Sequence, residues 1–92
     1  MLFLWLRSPE AAIDRVSRRV RQGGHSVRPE LITRRYWRGL TNMRHIYLEL
    51  ADIASIYDNG DEGRILIAER QPGSDLVVHD VSRWIEIEQA TR

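Results

Sequence analysis

Arginines and glycines between residues 15 and 42 are the part of the chain whose residue types and spacing best suit chemistry. They follow one another in the order Arg15, Arg18, Arg19, Arg21, Gly23-Gly24-His25, Arg34 and Arg35. Guanidinium groups bind phosphate and carboxylate oxygens through two parallel hydrogen bonds. Glycines between two arginine-bearing helices are typical of a hinge. The spacing therefore predicts a helical flap that closes arginines over an anionic ligand.

The chain has no lysine, so the predicted flap cannot be accompanied by a lysine-containing phosphate-binding loop within these residues. All 14 basic residues are arginine, and a phosphate-binding loop of the G-x-x-x-x-G-K-[ST] kind requires a lysine. The chain also has no cysteine, which excludes disulfides and thiolate metal sites. His25 has no second histidine or carboxylate at metal-ligand spacing, so we expect no metal site. The 92 residues thus contain a predicted phosphate clamp without the loop that cradles phosphates.

The charges are distributed unevenly along the chain. Residues 7–44 contain ten arginines and three acids, whereas residues 45–92 contain four arginines and ten acids. A basic half of this kind attracts phosphates, nucleic acid or an acidic partner. Pairing of the two halves across the fold is an equally good explanation. A solvated helix face is likewise the simpler interpretation of the arginines of the first helix, and His25 more simply bonds the hinge backbone than acts as a base.

The order of predicted elements is β-α-α-β-β-β-α, which indicates an α/β fold within one small domain. Residues 1–7 form a strand buried on both faces, as in a parallel sheet. Residues 8–54 form the arginine-rich helix–hinge–helix, with Ser8-Pro9 starting the first helix and Gly23-Gly24 ending it. Residues 55–92 form strands and a final helix, and the third of those strands lies at an edge.

Apolar spacing gives the inward faces of the predicted helices. Steps of three and four run from Leu31 to Ile53, which predicts one long helix opening at Pro29, with Tyr36 and Trp37 mostly in the core. Gly39 lies inside this helix, where close backbone packing would explain it. In the last helix, Trp84, Ile85 and Ile87 are predicted to face inward. Asp58-Asn59 is predicted to form a turn.

Taken together, these residues resemble the C-terminal part of zeta-toxin-family P-loop kinases, which include UDP-N-acetylglucosamine kinases. The resemblance covers residues 1–70 well and the remainder loosely. The matching positions are Leu2–Leu6 with Ser8-Pro9-Glu10, Arg15-Val16, Arg19-Val20, Gly23-Gly24-His25, Val27, Ile32, Arg34-Arg35-Tyr36, Gly39-Leu40, Asn42 and Tyr57-Asp58-Asn59. One departure is Arg28, which stands where the family usually has proline, so the second helix is expected to begin one residue late at Pro29.

The resemblance implies a phosphotransferase that uses ATP or GTP with Mg²⁺ to phosphorylate a sugar nucleotide of the UDP-N-acetylglucosamine type. It implies that the helix pair is the kinase lid, with Arg19 and Arg34 on the nucleotide phosphates and Arg15 and Arg35 as further contacts. It implies that residues 1–92 are a single partial domain, a fragment of the three-layer P-loop kinase fold. The family's Walker-type loop and catalytic acid lie in an N-terminal half that these 92 residues do not contain. We therefore expect the chain alone to be inactive, and a cytoplasmic location without membrane contact.

Two other classes of function remain open. An arginine-rich helix–turn–helix could bind nucleic acid, with Tyr36 and Trp37 stacking on bases. This is the weaker alternative, because the hinge is long, lysine is absent, and the helical spacing places at least one of the two aromatic rings in the core. The second class is an interaction protein that docks on a separate N-terminal kinase half, on an intact kinase or on an antitoxin-like protein. In that class, the apolar strand at residues 2–6 would be the exposed edge.

Overall fold

A four-stranded mixed β-sheet lies at the centre of the fold in the computed structural model, which describes all 92 residues. The strands lie side by side in chain order: β1 (Leu2–Trp5), β2 (Ala54–Asp58), β3 (Ile65–Arg70) and β4 (Val77–Val78). β1 is parallel to β2, and the other neighbouring pairs are antiparallel. The mixed α/β class predicted from the sequence is therefore confirmed. β4 occupies one edge, as predicted, but is only two residues long.

The helices are α1 (Pro9–Arg21), α2 (Pro29–Asn42), α3 (Leu48–Leu50) and α4 (Val81–Ala90). A five-residue π-helical segment, Met43–Tyr47, joins α2 to α3. The predicted single helix up to Ile53 is therefore wrong: it changes pitch at Met43 and ends at Leu50. The wider turn has a packing consequence, because it places Met43 and Leu48, five residues apart, together in the core.

Local signals explain where α1 and α2 begin. The Ser8 hydroxyl accepts a hydrogen bond from the Ala11 amide at 3.2 Å, and Pro9 occupies the first turn, where a missing N–H costs nothing. α2 begins at Pro29, the late start that the sequence predicts, and Arg28 precedes it without a side-chain cap.

The hydrophobic core lies on one face of the sheet. Ile56 and Ala68 point from paired positions of β2 and β3 toward residues of α2, the π-helical segment and α4. The core comprises Trp5, Leu40, Met43, Leu48, Ala54, Ile56, Ile67, Ala68, Trp84 and Ile87. Burial of this apolar surface is the main force that holds the helices on the sheet.

The other face of the sheet carries no helix at its β1 edge. Leu2 is 60% exposed and Leu4 is also exposed, whereas Trp5, on the opposite face, is buried. The predicted strand buried on both faces is therefore a half-exposed edge strand, because no element of the chain covers its second face. Its outer backbone edge has no partner strand, and residues 1–6 carry no charged side chain or proline that would block pairing.

Two further side chains differ from their predicted positions. Ile85 is exposed, while Ile87 is fully buried, because α4 contacts the sheet through Trp84 and Ile87, one helical turn apart. Gly39 has no heavy atom within 4 Å of where a Cβ would stand, so close packing within the chain does not account for it.

Candidate anion-binding hairpin

Helices α1 and α2 form a hairpin that projects from the sheet. Val20 near the end of α1 and Ile32 near the start of α2 line the same shallow cleft. At the base, the Tyr36 hydroxyl donates a 2.6 Å hydrogen bond to the Leu6 carbonyl oxygen, just before α1. Burial raises the pKa of Tyr36, so this hydroxyl stays protonated and remains a donor. α2 therefore runs back along α1 and is fixed to the end of β1.

The Gly-Gly sequence at the tip of the hairpin stops α1 as predicted. Gly23 has a φ of 98°, and its amide donates to the Val20 carbonyl at 3.0 Å. The Gly24 amide donates to the Arg19 carbonyl at 2.8 Å, which completes the pair of bonds of a Schellman motif. A Cβ at residue 24 would stand 2.9 Å from the Arg19 carbonyl oxygen, so both positions favour glycine. His25 follows them, exposed and without a hydrogen bond.

The four arginines predicted to contact phosphate occupy separate places. The Arg15 guanidinium donates to the Asn59 carbonyl oxygen. Arg19 is exposed and lines none of the cavities, whereas Arg34 lines a shallow one with Arg28. Arg35 lines a crevice beside β1. No cavity is shared by any two of the four residues, so their joint role as a clamp stays a prediction.

Half of the arginines have a hydrogen-bond acceptor within the protein, and the other half have none. Seven arginines donate to a carboxylate, an amide or a backbone oxygen: Arg7, Arg15, Arg18, Arg44, Arg64, Arg70 and Arg83. Seven others have no such acceptor, namely Arg19, Arg21, Arg28, Arg34, Arg35, Arg38 and Arg92. Six of these seven lie on the hairpin between residues 19 and 38, where Glu30 is the only acid. Acceptors within the fold thus account for half of the arginines, four of them through ion pairs with carboxylates, and leave residues 19–38 of the hairpin basic.

A second polar cluster lies where the parallel strands β1 and β2 end. The buried Asp58 carboxylate accepts from the Arg83 Nε at 2.7 Å and from the Gly60 amide at 3.0 Å. Arg83 Nη1 also donates to Asp80 at 2.7 Å. The hydrogen bonds to Asp58 and then to Asp80 raise the pKa of Arg83. The cluster borders an open cavity of about 310 Å³ at the edge of the sheet where α/β folds place ligands.

Asp80 caps α4, and the stabilisation that its carboxylate provides depends on pH. The Arg83 amide donates to its carboxylate at 3.1 Å, and this bond, followed by the one from the Arg83 side chain, lowers the pKa of Asp80. Because the folded-state pKa is below the unfolded value of about 3.9, the charge stabilises the fold above that pH. The stabilisation is lost as the pH falls through the folded-state pKa.

An Asp80→Asn variant isolates this effect, since asparagine caps helices as well as aspartate does. We expect the urea midpoint of the wild type to exceed that of the variant at pH 7. The gap should narrow as the pH falls below about 4, the unfolded value, and close as the pH falls through the lower folded-state pKa, where the wild-type carboxylate becomes neutral in the folded protein. A gap that stays constant from pH 7 to the acid limit would show that the Asp80 charge does not contribute.

Asp80 and Arg83 are the residues of this cluster that the sequence analysis did not single out. Asp58 was predicted to form a turn, and the Asp58–Gly60 bond confirms the turn. Its ion pair with Arg83 spans 25 residues and follows only from the way α4 packs beside β2. The spacing of Asp80 and Arg83, three residues apart at a helix start, was the one local signal that placed two of the three groups together.

The resemblance implies a nucleotide bound with Mg²⁺, and the residues of this chain suit the phosphates but not the metal ion. The exposed arginines of the hairpin suit the phosphates of ATP or GTP. Mg²⁺ would need oxygen ligands, and the chain nowhere groups three histidine or acidic side chains that could hold a metal ion. No step of a mechanism is therefore assigned to Mg²⁺ on this chain.

Comparison with known proteins gives no match, whether with protein-family models, with curated proteins or with solved structures. The resemblance to zeta-toxin kinases thus rests on the residues of the chain itself. None of the helices combines the length and apolar character needed to cross a lipid bilayer.

Proposed function

We propose that the chain is the lid-bearing C-terminal segment of a zeta-toxin-like phosphotransferase. The observation that carries this proposal is the concentration of arginines without acceptors on the hairpin, at residues 19–38. Arginines that serve only the fold have acceptors within it, as Arg83 does. Those on the hairpin are available to an external anion, and a nucleotide triphosphate is the anion that the resemblance implies.

The chemistry assigned to these arginines is electrostatic. Charge in a phosphoryl-transfer transition state spreads over the phosphoryl oxygens, and positioned guanidinium groups stabilise it there. Arg19 and Arg34 hold this role in the proposal, with Arg15 and Arg35 as further phosphate contacts. Arg15 also ties α1 to the loop after β2, through Asn59. The phosphate-cradling loop, the catalytic acid and the ligands of Mg²⁺ would come from a P-loop half.

The β1 edge supports docking of such a half. It offers unpaired backbone groups, exposed Leu2 and Leu4, and a neighbouring crevice of about 180 Å³. Parallel sheets are normally covered on both faces, and this face is open at β1. A strand and a helix from a P-loop half would complete the sheet. An antitoxin-like protein on the same edge is the alternative partner.

Complementation tests the proposal. The coding DNA upstream of the Met1 codon is first read for a G-x-x-x-x-G-K-[ST] sequence. The half encoded there, or the P-loop half of a zeta-toxin kinase, is then co-expressed with this chain. We expect the pair to co-purify and to transfer labelled phosphate from ATP to UDP-N-acetylglucosamine, with neither half active alone. Halves that co-purify without any transfer to a nucleotide sugar would contradict the phosphotransferase proposal.

A further inference from the structure

The side of α2 that faces away from the core carries an aromatic ring between two arginines. Arg34, Trp37, Arg38 and Thr41 are all exposed and stand at positions i, i+3, i+4 and i+7, so they share one side of the helix. We refer to these four residues as the outer face of α2. The sequence placed Tyr36 and Trp37 mostly in the core. Tyr36 is indeed partly buried against the core, but Trp37 points outward.

Trp37 is 41% exposed, a large fraction for a bulky aromatic side chain. Its ring contacts Tyr36 edge-to-face, with the centroids 5.0 Å apart. Because the Tyr36 hydroxyl is bonded to the Leu6 carbonyl oxygen, this contact supports the indole from a fixed base. A supported, half-exposed indole is the kind of platform on which a planar ring stacks.

The positive charges beside the Trp37 ring indicate which kind of ligand would bind there. Arg34 and Arg38 flank Trp37, and neither has an acceptor within the protein. Glu30, one turn before Arg34, is the only acid of α2. Guanidinium groups on both sides of an indole fit a ligand that repeats an anion and a planar ring, and single-stranded nucleic acid repeats both along its length.

We propose that the outer face of α2 binds single-stranded nucleic acid, with a base stacked on Trp37 and phosphates on Arg34 and Arg38. This goes beyond the phosphotransferase proposal, because it requires neither Arg19 nor the glycine hinge, and it assigns a role to Trp37, which that proposal leaves without one. The narrow face accommodates a flexible strand, whereas a duplex has its bases stacked internally and offers no ring to Trp37.

Tryptophan fluorescence reports the stacking directly. Trp5 and Trp84 are buried, so quenching by an added strand comes from Trp37. We expect an oligothymidylate of about 15 nucleotides to quench the wild type at low salt and to bind Trp37→Ala about ten-fold more weakly, as loss of one stacked base predicts. Trp37→Phe should recover most of the affinity, which separates stacking from any effect on folding.

Salt dependence tests the phosphate contacts. The logarithm of the affinity should fall linearly with the logarithm of salt concentration, and Arg38→Ala should reduce the slope by about 0.7. Arg92→Ala is the matched control, because Arg92 also lacks an acceptor but lies beyond the C-terminal end of α4, and it should leave slope and affinity unchanged.

Three results would overturn the inference. The first is no binding at about 50 mM salt, where phosphate contacts are strong. The second is equal competition by inorganic polyphosphate, which has the charges but no bases. The third is unchanged affinity in Trp37→Ala. Binding of Mg-ATP, measured in parallel on Arg19→Ala, reports on the phosphotransferase proposal alone, because Arg19 lies outside the outer face of α2.

Discussion

We expect that replacing Arg19 or Arg34 with alanine nearly abolishes phosphoryl transfer by the proposed two-half phosphotransferase, which is the largest effect that we expect of any substitution. Loss of one preorganised donor to transition-state charge lowers kcat by about 10²–10³-fold. Lysine at either position should restore only part of the rate, since an ammonium group lacks the planar fork that binds two oxygens. The measurement is the steady-state transfer of labelled phosphate from ATP by the co-expressed halves.

Arg21→Ala is the control for this pair. Arg21 lies on the same helix as Arg19, is equally exposed and also lacks an acceptor, but the resemblance gives it no role. It should retain the full rate. Because all three side chains are exposed, circular dichroism should show an unchanged fold in each variant. Full activity in both Arg19→Ala and Arg34→Ala would refute the phosphate-clamp assignment.

The largest effect on stability is expected at Ile87, in the centre of the core. Ile87→Ala removes a side chain that is 0% exposed, and such truncations cost about 2–5 kcal/mol. A chain of this size has a total stability of only about 5–14 kcal/mol. We therefore expect Tm to fall by about 10 °C or more, given about 4–8 °C per kcal/mol for a domain of this length. Thermal unfolding followed by circular dichroism measures the change.

Ile85 on the same helix provides a matched substitution. Ile85→Ala makes the same chemical change two residues away, at a side chain that is 44% exposed. The change in helix propensity is equal in both variants, so their difference in Tm reports burial alone. Ile85→Ala should shift Tm by no more than a few degrees. Equal losses at the two positions would show that α4 packs on the sheet through a different face.

The sequence predicted those features that depend on neighbouring residues. Ser8 and Pro9 set the start of α1, the positive φ of Gly23 sets its end, and Asp58 makes its turn with Gly60. Each involves a contact within about five residues, where residue type decides the backbone conformation. The mixed α/β class followed in the same way, from alternation of strand and helix patterns.

The features that it missed depend on contacts distant in sequence. Apolar spacing in α4 allowed both Ile85 and Ile87 as inward residues, and only the position of the sheet decides between them. The same holds for Trp37, whose neighbour Tyr36 faces the core instead. Arg83 joins Asp58 only because α4 lies beside the end of β2. Of the four proposed phosphate contacts, Arg15 donates to the Asn59 carbonyl oxygen and Arg35 lies beside β1, so the fold does not bring the four together.

Helix α1 contributes no fully buried residue to the protein. Its links to the sheet side of the molecule are polar: Arg15 to the Asn59 carbonyl oxygen and Arg18 to Asp61. The free energy needed to detach α1 is therefore far smaller than that needed to unfold β2 and β3, whose side chains form the core. In amide hydrogen exchange, the α1 amides would exchange through local opening, long before those of Ile56 and Ile67, and the molecule would behave as two units of unequal stability.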